Sequence, residues 1–287
     1  MKLNYKRTFF IGLAFLSISA FWQLYDNIIP LILQNTFMLG ETMTGSIMAI
    51  DNILALLLLP IFGAFSDKVS TGLGKRTPFI ITGTIISVIF MTLIPIADQS
   101  RNFILFFVSL GVVLLAMGTY RSPAVALMPD LTPRPLRSKA NAVINLMGAV
   151  GGILTLVAIS LLIPKVDVPN YFTVFISVAL LMIVSVSILL IAINENKLSK
   201  ELKLSDDVEE FEVVSDNVEK YTMPKDVKRS LVFILASVFL WFAAYNAVTT
   251  AFSRYALKVW GLKGGDFANA LMVAYGAAIL SYIPIGI

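Results

Sequence analysis

Two acids, Asp26 and Asp51, lie in segments otherwise composed for lipid, and each is followed by an asparagine, Asn27 and Asn52. From Phe9 to Leu33, Asp26 is the single charged residue. A charge near a bilayer centre costs about 2.5–3.5 kcal/mol on insertion scales, so an acid there points to function by default. The bland alternative is a permanently protonated hydrogen-bonding group. The chain has neither His nor Cys. Without imidazole the usual proton carrier near neutral pH is missing, and without thiols there are no disulfides or thiolate metal sites. Reversible protonation therefore falls to a carboxylate in surroundings that favour its neutral form. Trp22, Gln23 and Tyr25 surround Asp26 at helical spacing. A sugar suits such a group, because its C–H face stacks on aromatic rings while its hydroxyls pair with amides and acids. No metal or cofactor is implied.

The elements that must hold these residues are membrane helices. The 287 residues are 57% hydrophobic and only 14% charged, with mean hydropathy +0.84, where soluble domains carry about 25% charged residues. Apolar runs at 8–33, 43–65, 77–97, 102–124, 140–163, 171–193, 230–252 and 266–287 are each long enough to cross a bilayer as a helix. The first is too long for a signal-peptide core and lacks a small-residue cleavage site, so it is expected to remain as a span.

Orientation follows from the cations. With the N-terminus inside, seventeen Lys and Arg residues face the cytoplasm and five (Arg101, Lys165, Arg254, Lys258 and Lys263) face outward. That asymmetry predicts a multi-pass protein of the cell membrane with a cytoplasmic N-terminus. The net charge of +4 thus reports topology, not nucleic-acid binding. At 1.5 Å per residue, Asp26 stands about 7 Å and Asp51 about 5 Å to the outer side of the middle of their spans, and Arg121 about 12 Å to the inner side of its own. The two acids share a depth. Arg121 is expected to lie too far inward to neutralise Asp26, and to snorkel or to pair with Asp67 or Asp130.

Composition breaks once, at residues 194–229, which hold ten of the eighteen acids. The expected organisation is a six-helix bundle over 1–193, a solvated cytoplasmic loop over 194–229 and a partial second bundle over 230–287. The two bundles resemble each other. "FWQLYDN" aligns with "WFAAYNA", placing Tyr25-Asp26 over Tyr245-Asn246 at an offset of 220 residues, and "PIFG" ending at Gly63 aligns with "PIGI" ending at Ile287 at an offset of 224. A parallel repeat of six-helix halves is one transporter pattern. Under it, eight of twelve helices are present, and a chain of this extent is expected to insert without concentrating a solute.

Two stretches carry a family resemblance. "GAFSDKVSTGLGKRTPFI", residues 63–80, combines Gly63, which allows close helix approach, with Asp67 at a helix end and Gly74, Lys75 and Arg76 before the next span. "SPAVALMPDLTPRPLRSKAN", residues 122–141, contains P-x-x-A-L-x-x-D-L ending in Asp130 and Leu131. These resemble the loop between helices 2 and 3 and the helix 4–5 junction of the major facilitator superfamily, in its sucrose-transporter and glycoside–pentoside–hexuronide symporter branch. The resemblance implies an all-α major facilitator fold, no enzymatic activity, and secondary transport of a sugar or glycoside with a proton, by a monomer when full length. It also implies that Asp67, Lys75 and Arg76 belong to a cytoplasmic gate latching the halves together. The chain departs from the branch twice. Val125 stands where sucrose-type carriers have arginine, and Ala55 and Leu59 stand where sodium-coupled melibiose-type carriers have acids, which favours a proton over sodium. Proton-coupled export of amphipathic or cationic compounds, and a non-transporting sensor on the same scaffold, are the other readings. An intramembrane aspartyl protease would need an acid facing Asp26 from "LKGGD", but Asp266 begins a helix at the outer surface and the two acids would not meet at one depth.

Overall fold

The computed structural model describes residues 3–166, 169–210 and 225–285. These residues form helices joined by short turns and contain no strand. The helices are α1 (Tyr5–Asn35), α2 (Glu41–Lys68), α3 (Thr77–Gln99), α4 (Phe103–Asp130), α5 (Arg137–Leu162), α6 (Phe172–Ala192), α7 (Glu195–Glu210), α8 (Lys225–Val259) and α9 (Phe267–Ile285). Seven of the described helices are long and apolar enough to cross a membrane, and α9 takes the place of the eighth expected span. The last two residues of "PIGI" lie outside the described residues.

Six spans end within a few residues of the apolar runs; α4 and α8 overshoot. Helix α4 continues through Pro123 and Pro129 to Asp130, and α8 extends to Lys225 and Val259. Hydropathy marks only the lipid-crossing stretch, whereas backbone hydrogen bonding carries a helix on into water. Membrane helices tolerate such prolines where neighbouring helices and side chains can satisfy the backbone groups they free.

Between lipid-bathed helices apolar burial gives little driving force, so close packing and buried hydrogen bonds must hold the bundle. Helix α1 is its axis: 72% of its most apolar stretch is buried, against 11% for α2 and 0% for α8. It packs on α5, α6, α8, α4 and α2. Tyr120 Oη on α4 donates to the Ala14 carbonyl at 3.0 Å, and Thr155 Oγ1 on α5 donates to the Ala20 carbonyl at 3.2 Å.

The "GAVGG" stretch supplies the closest approach. A Cβ on Gly151 would stand 2.2 Å from the Leu16 carbonyl oxygen, so α5 lies against the α1 backbone only because that position has no side chain. We expect Gly151→Val to lower the unfolding temperature in detergent, at a cost of about 1–3 kcal/mol from overpacking. Gly111 on α4 has nothing within 4 Å of such a Cβ. There Gly→Ala should stabilise by about 0.5–1 kcal/mol, and a fall at both positions would reject the packing explanation.

Candidate functional site

At the end of the bundle that carries the N-terminus, the α2–α3 loop folds around Arg76. The Arg76 side chain is only 6% exposed. Its Nε donates to Asp130 Oδ2 at 2.8 Å, Nη2 pairs with Asp67, and Nη1 donates to Ser66 and, at 3.4 Å, to the Gly63 carbonyl. A planar guanidinium can serve several acceptors in fixed directions, which an ammonium cannot. Gly63 also lets α2 approach α4, since a Cβ there would meet Ser122 Oγ at 3.0 Å. Lys75 differs from expectation. Its side chain is exposed and makes no ion pair among the described residues; its backbone amide alone joins the network. The latch differs too. Asp67, Arg76 and Asp130 all belong to the first four helices, so in this conformation the cluster braces one group of helices and does not bridge two.

What holds the Arg76 backbone comes from 119 residues further along the chain. Glu195, the first residue of α7, is 4% exposed. Its carboxylate accepts from the amides of Lys75 (2.7 Å), Arg76 (3.0 Å) and Thr77 (2.9 Å), and from Thr77 Oγ1 (2.7 Å). These are the free donors at the start of α3, where an anion also meets the helix dipole. Gly74 makes room: at φ +125° it adopts a backbone that side chains avoid, and a Cβ there would lie 2.1 Å from Glu195 Oε2. Asn196 Nδ2 donates to the carbonyls of Thr71 and Gly72 at 3.0 and 2.8 Å. The acid-rich segment thus begins as a docked helix where composition suggests a solvated loop; residues 211–224 lie outside the described residues. We expect Glu195→Gln to cost about 1.5–3 kcal/mol, the worth of a hydrogen bond to a charged group, and to lower the melting temperature by several degrees. The exposed Lys197→Gln should leave it unchanged, and equal effects would mean that the buried bonds of Glu195 carry no special weight.

Midway along α1 the acids gather on one face. Asp26, Asp51 and Arg121 interact electrostatically with one another. Arg121 Cζ lies 5.6 Å from the centre of the Trp22 ring, and Trp22, Asp51 and Arg121 line one narrow crevice between α1, α2 and α4. Arg121 thus lies beside Trp22 and Asp51 and not against Asp67 or Asp130, which Arg76 takes; among the described residues it makes no ion pair with either intramembrane acid. The depth count placed its Cα; a guanidinium at the end of a long side chain reaches well beyond it. Asn52 Nδ2 donates to Asp51 Oδ1 at 2.9 Å. Trp22 and Tyr25 meet edge to face, with centroids 5.3 Å apart. Asn27 donates to the Gln23 carbonyl at 2.8 Å, which turns it along α1 and away from the crevice.

Nearer its N-terminal end, α1 borders a larger cavity of about 430 Å³, lined by Phe15, Ser19, Asn145, Trp241, Tyr245 and Tyr275 among others, none of them charged. Trp241 and Tyr245 stack at 5.7 Å and 19°. Tyr275 Oη donates to Gln23 Oε1, so Gln23 serves this cavity and not the acids. Asn246, the repeat partner of Asp26, is exposed and lines neither space. Sequence reading missed Asn145, Tyr275 and Glu195. An Asn inside an apolar run was a usable signal for the first; nothing local distinguished the other two.

The ion pairs that join the first six spans to α8 and α9 lie at the far end of the bundle. Lys258 Nζ meets Glu41 Oε1 at 3.0 Å and Lys165 Nζ meets Asp266 Oδ1 at 2.7 Å. There a Cβ on Gly265 would stand 2.0 Å from the Ile159 carbonyl oxygen. At the Arg76 end, α8 is exposed from Leu231 through Leu240.

Comparison with known proteins agrees with this architecture. A family model described as Major Facilitator Superfamily matches residues 11–287. The chain is 30% identical over 121 residues to "Sucrose transport protein SUC3" of Arabidopsis thaliana, covering 36% of this chain and 20% of that protein. It is similar in structure to a bacterial homologue of the human drug peptide transporters PepT1 and PepT2, with a TM-score of 0.57 at 15% identity, over 97% of this chain and 56% of the other. The chain therefore spans about half of that solved transporter, and the alignment about a fifth of the plant protein.

Proposed function

This chain belongs to the Major Facilitator Superfamily, and from that premise we propose that it serves proton-coupled symport of a sugar or glycoside across the cell membrane. One observation carries the reading: α1 borders both an uncharged, aromatic cavity and a separate crevice with Asp51 and Arg121, whose charges act on Asp26. A neutral polyhydroxylated solute fits the first space, with Trp241 and Tyr245 offering ring faces and Asn145, Ser19 and Tyr275 offering hydrogen bonds. A proton suits the second, where Arg121 can compensate whichever of Asp26 and Asp51 is ionised. Because both spaces share α1, a shift or rotation of that helix affects them together.

The excess of basic residues supports a cytoplasmic position for the Arg76 end. With ion pairs joining the helix groups at the outer end, we read the conformation as inward-facing, one of the two states that rocking halves exchange. The full-length carrier in proteoliposomes should take up radiolabelled sucrose or a simple glucoside faster when a pH gradient, acid outside, is imposed. Uptake indifferent to the gradient across a panel of glycosides would reject the reading.

A further inference from the structure

Where α1 leaves the membrane at the Arg76 end, a second small cavity of about 190 Å³ opens between three elements. Asn4, Lys6, Arg7 and Phe10 of α1 form one side; Ile193, just past α6, and Leu198 of α7 are on the other. Neither Lys6 nor Arg7 makes an ion pair among the described residues, and Asn4 Oδ1 is occupied by the Arg7 amide at 3.0 Å. Tyr5 and Phe9 on the same turns are 62% and 47% exposed, as aromatic anchors at a membrane interface are. Two free cations thus stand at the rim of an apolar notch, at the level where the apolar spans end.

We infer that this notch holds the headgroup of an anionic phospholipid, with its phosphate on Lys6 and Arg7 and its glycerol and first acyl carbons against Phe10, Ile193 and Leu198. A soluble anion would use the cations but gain nothing from the apolar wall. A zwitterionic lipid would use the wall but bring a second positive charge to the rim. The occupant also touches α7, whose first two residues clamp the loop that carries Arg76. By bracing Leu198 against α1 and α6, the lipid steadies that clamp; this consequence rests on the gate role of Arg76, whereas the binding does not.

The test is native mass spectrometry of the purified full-length protein in detergent. It would be titrated with phosphatidylglycerol, with phosphatidylcholine of the same chains, and with inorganic phosphate. Phosphatidylglycerol should be retained preferentially, and Lys6→Ala/Arg7→Ala should weaken it about thirty-fold, from the typical worth of two juxtamembrane cations. Leu198→Glu, which places a negative charge in the notch without touching α1, should act likewise and covers the case in which the double variant folds poorly. Arg134→Ala/Lys139→Ala, basic residues elsewhere at the same end, should retain the lipid. Equal retention by all variants, or equal loss in the control, would overturn the site, and retention of phosphate alone would overturn the lipid as its occupant. Hydrogen exchange at residues 196–200 should slow in phosphatidylglycerol. Unchanged exchange with selective binding would leave the site standing and remove its link to the gate loop.

Discussion

Replacing Asp26 by asparagine is expected to abolish solute accumulation while sparing exchange. A pH difference of one unit is worth about 1.4 kcal/mol per proton, enough for about tenfold accumulation at one proton per solute. Asparagine keeps the size and hydrogen bonding of a protonated aspartate but cannot release a proton, so the carrier stays in the loaded form. The steady-state concentration ratio should then fall to about one, with counterflow of labelled against unlabelled solute continuing near the normal rate. Asp51, which shares the crevice with Arg121, provides the comparison. If Asp26→Asn still accumulates about tenfold, proton coupling belongs to Asp51 and the role proposed for Asp26 is wrong.

Arg76→Lys should have the opposite signature, slowing exchange and accumulation together. The guanidinium reaches Asp67, Asp130, Ser66 and the Gly63 carbonyl at once. An ammonium on a flexible stem keeps the charge but cannot span these directions. Asp67 and Asp130 are 61% and 40% exposed, so water can rescue both, and each lost pair should cost no more than about 1 kcal/mol of stability. The functional loss is larger because the loop that Arg76 ties to α2 and α4 must return to one geometry in every cycle. Initial exchange rates should drop about tenfold or more, since a misplacement of about 1 Å can cost 100-fold in a positioned step. Undiminished exchange in Arg76→Lys would mean that the cluster only stabilises the fold.

What the sequence by itself determined is whatever hydropathy and charge control residue by residue. In lipid a backbone must satisfy its own hydrogen bonds, so long apolar runs leave only helices, and the spans, the all-α class and the family pattern at Asp67, Arg76 and Asp130 were legible. A shared depth for Asp26 and Asp51 is an expectation of the same kind, because rise per residue is a property of the helix alone. Only the tertiary structure decided direction. Depth along a helix says nothing about azimuth until its neighbours are in place, so the separation of Gln23 from Asp26, adjacent faces of one helix serving two different spaces, could not be read from spacing. Nor could the place of Arg121 beside Trp22 and Asp51, away from Asp67 and Asp130, since side-chain reach is comparable to the depth difference on which that expectation relied. Glu195 is the clearest case. In the sequence it opens an acid-rich stretch with the look of solvated loop. It becomes buried because the chain brings it back to the start of α3, where unpaired amides and a glycine without a Cβ form a space that a carboxylate fills.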